Sequence, residues 1–328
     1  MKKSNLSAVL CAALVALWGG NAMAQDDAPK GKVVLTTFSN FGVGFDDQDG
    51  TDNTAGFELE RAYLGYDYKL NDAWSAKVVY DMGKGDDGKL QRLGYVKNAY
   101  VTYSKGNLKL EAGLTGTEGF NAQEKMWGYR YVYKSFMDQN KWGSSADLGV
   151  KAKYKVANWM DADVSVFNGE GYKKVQLDNQ FLYGLGVTLK PFSGFQLRLY
   201  ADMKTAKDTA AQATVAISTG YKGEKFSVGA EYDLMRNQGN SDGHHLNGLS
   251  LYATGNLGEK MSLFGRYDWG SSSTDLSDNW SYGEDGQMLM LGLQCKVNKM
   301  VSVAPNFLMK KHNDVYNYFA MLSMNVSL

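Results

Sequence analysis

The sequence predicts an all-β chain: a transmembrane antiparallel β-barrel of about sixteen strands, with short turns at one rim and longer loops at the other. Three observations carry this expectation. Apolar and polar residues alternate at the strand period, short and long connections alternate between the strands, and aromatic residues gather at both strand ends. Composition agrees, with 37 Gly and 21 Tyr against 3 Pro, and a mean hydropathy of −0.38. After the N-terminal segment nothing approaches the roughly 18 apolar residues of a spanning helix. A barrel spans a bilayer with such polarity because half of each strand faces water.

Residues 1–24 read as an export signal. Lys2 and Lys3 give a positive start, the apolar run from Leu6 to Trp18 is short, and Asn21-Ala22-Met23-Ala24 supplies an Ala-x-Ala cleavage site. Residues 25–328 are then one barrel domain in a bacterial outer membrane. Cys295 is its only cysteine, so no intrachain disulfide forms. Basic and acidic residues balance at 35 each, which speaks against a nucleic-acid partner.

Each strand shows two unlike faces. Ala62, Leu64, Tyr66, Tyr68 and Leu70 oppose Arg61, Tyr63, Gly65, Asp67 and Lys69; Leu148, Val150, Ala152 and Tyr154 oppose Asp147, Lys151, Lys153 and Lys155. Phe195, Leu197, Leu199 and Met203 oppose Gln196, Arg198, Tyr200 and Asp202, and Leu322, Met324 and Val326 oppose Met321, Ser323 and Asn325. Short turns fall at 71–72, 105–107, 157–158, 191–194, 222–224, 258–260 and 298–299. Longer segments lie at 42–56, 83–93, 115–145, 168–179, 205–209, 236–247, 270–286 and 311–314. Tyr68, Trp74, Tyr103, Tyr154, Trp159, Phe195, Tyr221 and Phe226 sit beside the short turns; Phe38, Phe57, Tyr80, Tyr267, Trp269 and Tyr318 sit nearer the long loops. Two such bands suit the two headgroup levels of a membrane.

Several segments resemble the phosphate-selective porin family, in particular its Bacteroidota relatives. They are Glu60-Arg61-Ala62-Tyr63-Leu64-Gly65, Trp127-Gly128-Tyr129-Arg130-Tyr131, Ser144-Ser145-Ala146-Asp147-Leu148-Gly149-Val150, Val166-Phe167-Asn168-Gly169-Glu170-Gly171 and Arg266-Tyr267-Asp268. The resemblance implies an outer-membrane porin, often a homotrimer, with a lumen lined by basic residues. This sequence shows no strong arginine ladder.

The segment 115–145 is the longest connection. It holds Lys125, Arg130, Lys134 and Lys141 against Glu118, Glu124 and Asp138. As the third loop it is a candidate constriction, where low-dielectric walls would concentrate the field of its cations on a passing anion. A loop packed over the mouth or against a neighbouring subunit is the alternative. Lys151, Lys153 and Lys155 follow on one strand face, and lysine at the lipid midplane costs about 2–4 kcal/mol, so all three should point inward. By the same parity Arg61, Lys77, Lys109, Lys190, Arg198 and Arg266 face the lumen, as do Asp67, Asp81, Glu111, Asp147, Asp161, Asp163, Glu231, Asp233 and Asp268. A mixed wall and a modest anion preference both fit. The expected partners are outer-membrane lipid and small anions or other small polar solutes.

Other signals are weak. Gly83-Lys84-Gly85-Asp86-Asp87-Gly88 matches G-x-G-x-x-G, but its carboxylates would repel a pyrophosphate. Asp46, Asp47, Asp49 and Asp52 lack calcium-loop spacing, and adjacent His244 and His245 would point apart on a strand. No cofactor is expected. A barrel-housed lipid-modifying enzyme and a surface adhesin or receptor acting through its loops are the competing readings of function.

Overall fold

Polar and apolar residues alternate because a strand presents successive side chains to opposite sides. In the computed structural model, β1 spans Gly31–Asp46, β2 Ala55–Lys69, β3 Trp74–Gly83 and β4 Leu93–Lys105. β5 is Leu108–Gly116, β6 Ala146–Ala157, β7 Met160–Phe167 and β8 Leu182–Leu189. β9 is Phe195–Lys204, β10 Gln212–Lys222, β11 Phe226–Arg236 and β12 His244–Asn256. β13 is Met261–Thr274, β14 Gly286–Lys296, β15 Val301–His312 and β16 Val315–Ser327. The structure describes residues 31–46, 55–83, 93–277, 280–312 and 315–328. The expected signal segment, the G-x-G-x-x-G match beyond Gly83, and Asp47, Asp49 and Asp52 lie outside the described residues.

Each strand pairs antiparallel with its sequence neighbours, and β1 pairs with β16 to close the barrel. Closure leaves no edge, so backbone donors and acceptors are satisfied between strands rather than by lipid. The outward face is largely apolar: Leu64, Leu185, Leu263 and Leu291 are about half exposed, at 49%, 57%, 53% and 55%. Such a surface suits acyl chains and would be a liability in water.

Three connections are shorter than the residue pattern suggests. β1 runs on to Asp46, β12 begins at His244 and β13 continues to Thr274. Pairs such as Val43↔Ala55 and His245↔Ser273 keep the ladder going into polar sequence, because pairing needs only backbone. One girdle assignment is also corrected. Phe38 points inward and packs on Tyr63 and Tyr131, at ring separations of 5.9 and 6.4 Å. Tyr318 faces outward as expected, stacked on Phe307.

Two interruptions of the ladder matter for the lumen. The β1–β2 register shifts at Phe38/Ser39, leaving Glu60 without a cross-strand partner; the β3–β4 register shifts at Val79/Tyr80, leaving Lys97 in the same position. A bulge re-aims a side chain that strict alternation would send outward. Both residues reach the interior.

Candidate functional site

The third long connection, residues 117–145, carries two short helices, α1 (Asn121–Trp127) and α2 (Phe136–Gln139). Gly128 ends α1 in the left-handed conformation (φ 76°), and its N–H donates to the Glu124 carbonyl at 2.9 Å. That reversal sends Tyr129 to Tyr133 along the inner wall. Tyr129 stacks on Phe264 of β13 at 4.3 Å, and Trp127 meets Tyr252 of β12 edge-on at 5.6 Å. Phe136 lies over Gly248, where only glycine leaves room, because a Cβ there would stand 2.1 Å from its ring; Gly270 lies beside the same ring. Gln294 of β14 donates to the Tyr131 hydroxyl at 2.9 Å.

Charged anchors complete the attachment. Glu118 accepts from Lys151 at 2.8 Å and pairs with Lys153 at 2.7 Å. Lys151 also pairs with Glu111 at 2.9 Å and donates to the Gly116 carbonyl at 2.6 Å. Against the burial that raises it, these two ammonium groups hold the Glu118 carboxyl below its ordinary value. On the far wall Arg266 grips both Asp268 oxygens, at 2.8 and 2.7 Å, and donates to the Lys134 carbonyl at 2.6 Å.

The loop therefore covers one side of the barrel interior. Inward residues of β10–β12, β14 and β15 beneath it are sealed, with Thr214, Asp233, Ser250, Met290 and Ala304 at most 1% exposed. On β2–β4 the inward side chains Arg61, Tyr63, Lys77, Lys97, Asn98 and Tyr100 are half-buried, whereas Val79, Asp81 and Thr102 on the same strands are buried. Water reaches that side.

At the loop's tip Arg130 bonds Glu124 at 2.8 Å, also bonds Asp138, and extends to the Tyr63 hydroxyl at 3.4 Å. Burial raises the Glu124 carboxyl above its ordinary value although Arg130 opposes it. Asp138 is buried too, yet Arg130 and Lys134 hold it below its ordinary value. Facing the tip, Lys97 donates to the Tyr63 hydroxyl at 3.2 Å, and Arg61 stands 3.5 Å from Asp81.

Towards the short-turn rim, a cavity of about 370 Å³ is bordered by Lys109, Lys125, Lys153, Lys155, Lys190 and Arg198, with Glu118, Asp161 and Asp163. Lys190 pairs with Asp161 at 2.8 Å, and Arg198 with both oxygens of Asp163. Among the described residues, Lys125 and Lys155 have no carboxylate within ion-pair distance. Lys125 also borders an adjoining hollow with Lys190 and Lys222.

The expected site residues thus separate by position. Arg61, Arg130 and Lys134 meet beside the loop tip, while Lys125, Lys153, Lys155 and Arg198 meet towards the short turns. Lys77 stands on the open wall, 3.7 Å from Asp67. Lys141 lies at the loop's exposed edge, paired with Glu284 at 2.6 Å. Lys151 and Arg266 point inward but are closed into ion pairs, so Lys151, Lys153 and Lys155 are not three equivalent sites. Parity reads a side chain's face and cannot read what covers it. Lys97 and Glu60 escape the sequence reading because bulges invert their parity; a charge at an outward position of a spanning strand is the signal that could reveal them. His245 pairs with Asp275 at 2.8 Å and His244 stacks on Trp280; among the described residues no group of three or more His, Cys, Asp or Glu is placed to hold a metal.

Comparison with known proteins agrees with this architecture. OmpF of Salmonella typhi superposes with a TM-score of 0.71 at 11% identity, over 93% of this chain and 99% of that one. An anion-selective porin from Comamonas acidovorans gives 0.66 at 12% identity over 92% and 100%. A trimer form of OmpT from Vibrio cholerae gives 0.60 at 14% identity over 92% and 100%. In sequence the chain is 22% identical over 275 residues to esterase EstA of Pseudomonas aeruginosa and of Pseudomonas putida. That match covers 73% of this chain and 40% of each esterase, so the chain spans about two-fifths of the curated relatives' length. The family model of putative beta-barrel porin-2, OmpL-like proteins matches residues 141–320, and the chain belongs to that family.

Proposed function

We propose that the chain is an outer-membrane porin, exported by residues 1–24, whose lumen lets small polar solutes diffuse passively and prefers anions modestly. The observation that carries the reading is the asymmetry of the interior: one wall sealed by residues 117–145, the other wetted and set with cations. Residues 117–145 act as the constriction. Arg61, Lys97, Arg130 and Lys134 surround its tip, and Lys125 and Lys155 add uncompensated charge towards the short turns. Fixed cations between low-dielectric walls raise the local anion concentration without binding any anion tightly.

A homotrimer is the assembly we propose, in line with the trimer form of OmpT. Preference for phosphate over other anions rests on the segments around Trp127 and Ser144 and is the narrower part of the reading.

Single-channel recording in planar bilayers tests the proposal. Discrete conductance steps are expected from the folded chain, and their absence overturns the pore. A reversal potential of cationic sign in a salt gradient overturns anion preference. Exchanging chloride for phosphate at equal ionic strength reads the phosphate component separately.

A further inference from the structure

A cavity of about 270 Å³ beside the loop tip carries a charge arrangement that simple anion passage does not need. It lies between residues 130–134 and the inward faces of β1, β2, β15 and β16. Glu60, turned in by its bulge, faces it. The Glu60 carboxylate accepts from Asn40 Nδ2 at 2.9 Å, and no cation lies within ion-pair distance among the described residues. Lys310 also faces the cavity, its ammonium 5.5 Å from the centre of the Tyr133 ring and likewise without a paired carboxylate. Glu284, which borders a neighbouring hollow together with Lys310, is paired with Lys141 at 2.6 Å. Phe38, Leu308, Phe319 and Met321 supply apolar lining.

The spacing of the two charges narrows the ligand. The Glu60 carboxylate is held at Asn40, which pairs with Ser323, and Lys310 pairs with Asn317, so the two rows stand six residues apart along β16. Six residues of strand rise roughly 20 Å. With the lysine leaning along the wall towards Glu60 and an ion-pair contact at each end, a ligand would span on the order of 10 Å, about three residues of extended chain. The opposed charges of a single α-amino acid are too close together to touch both. A small anion at Lys310 leaves the Glu60 carboxylate without a partner.

We infer that this cavity is a subsite for short zwitterionic peptides of about three residues. The peptide ammonium sits at Glu60, its carboxylate at Lys310 with Lys134 alongside, and its apolar side chains lie on the lining between. Unpaired charges beside apolar surface favour a ligand that neutralises both ends at once, since each half-satisfied end costs desolvation. The inference rests on the pore reading and names a solute class for it.

The test adds Ala-Leu-Ala with free termini to single channels, beside its N-acetylated and C-amidated forms. Free peptide is expected to interrupt the current in a concentration-dependent manner, and capping either terminus to weaken the block at least tenfold. Glu60→Gln should weaken block by free and amidated peptide and leave the acetylated form unchanged. Lys310→Gln should weaken block by free and acetylated peptide and leave the amidated form unchanged. Equal block by all three peptides, or none by any through a conducting channel, overturns the subsite and leaves the pore standing. Calorimetric titration of the same peptides onto the detergent-folded chain reads the subsite independently: binding by the free form alone supports it, and no binding overturns it even where no current flows.

Discussion

At Lys151 the ammonium lies within 2.9 Å of two carboxylates, Glu111 and Glu118, and all three side chains are about 6% exposed. Removing one member of such a cluster strands the others, and a broken buried pair costs about 3–5 kcal/mol. Lys151→Gln should therefore lower the unfolding free energy of the refolded chain by that order, read from denaturant titration, and add low-frequency noise to the open channel. Lys155, four residues on and on the same face, has no such cluster among the described residues. Lys155→Gln should leave the unfolding midpoint in place and reduce the anion-to-cation permeability ratio. Equal destabilisation by the two substitutions would refute this division. The alternating pattern of β6 makes the inward direction of both lysines legible, because lipid penalises the opposite register. Their different fates depend on Glu118, which arrives from a connection whose path no periodicity encodes. Glu60 and Lys97 were illegible for another reason, since one extra residue in a ladder inverts the parity on which the reading depends.

Residues 117–145 act as one element because their aromatic side chains pack on the wall, with Phe136 keyed into a glycine of it. Phe136 fits only because Gly248 has no Cβ, whereas nothing lies within 4 Å of where a Cβ on Gly255 would stand. Gly248→Val should expel Phe136, release the loop and raise single-channel conductance, with Gly255→Val as the control; unchanged conductance in the first would show that the loop does not limit flow. The same element predicts a response to acid. Glu124 is raised above its ordinary value by burial, while Asp138 is held below its own by Arg130 and Lys134 against burial. As pH falls from neutral, Glu124 takes up a proton first, and Arg130 is left facing one carboxylate instead of two. The loop tip becomes more positive, so the anion-to-cation permeability ratio should rise before Asp138 titrates. Glu118 remains ionised over that interval, because Lys151 and Lys153 keep it below the ordinary glutamate value. A group lowered in this way lends its stability above the unfolded value and loses it as pH falls through the folded one. The loop should thus stay anchored while selectivity changes. Glu124→Gln should show the acidic permeability ratio already at neutral pH; a variant that still titrates would place the effect elsewhere. Length and position mark this segment in the sequence, but the glycine seat of Phe136 lies more than a hundred residues further on, at Gly248, and becomes visible only once the barrel is closed.

For the whole molecule, one distinction between faces governs both stability and transport. Sixteen strands close on themselves, so every spanning residue must serve either lipid or lumen. That division was written in the sequence almost throughout, because the lipid face tolerates little besides apolar and aromatic side chains while the inner face tolerates nearly anything. The lumen's charges were therefore legible as a set and illegible as a site. Their arrangement arises from contacts between distant strands and the loop, as where Arg266 of β13 holds the backbone of Lys134. A matched pair of substitutions tests the distinction directly. Leu291, at the middle of β14, faces outward and is 55% exposed; Tyr100, near the middle of β4, faces the wetted side of the lumen. Leu291→Arg should lower the folding free energy in lipid vesicles by about 2–4 kcal/mol, the cost of a guanidinium at the bilayer midplane. It should leave ion selectivity unaltered in the channels that do assemble. Tyr100→Arg should do the reverse, sparing folding and raising anion preference, because its charge stays in water and adds to the field a permeant ion crosses. If both arginines cost the same in folding, the inward wall is as dry as the outward one, and the lumen is not a path for polar solutes.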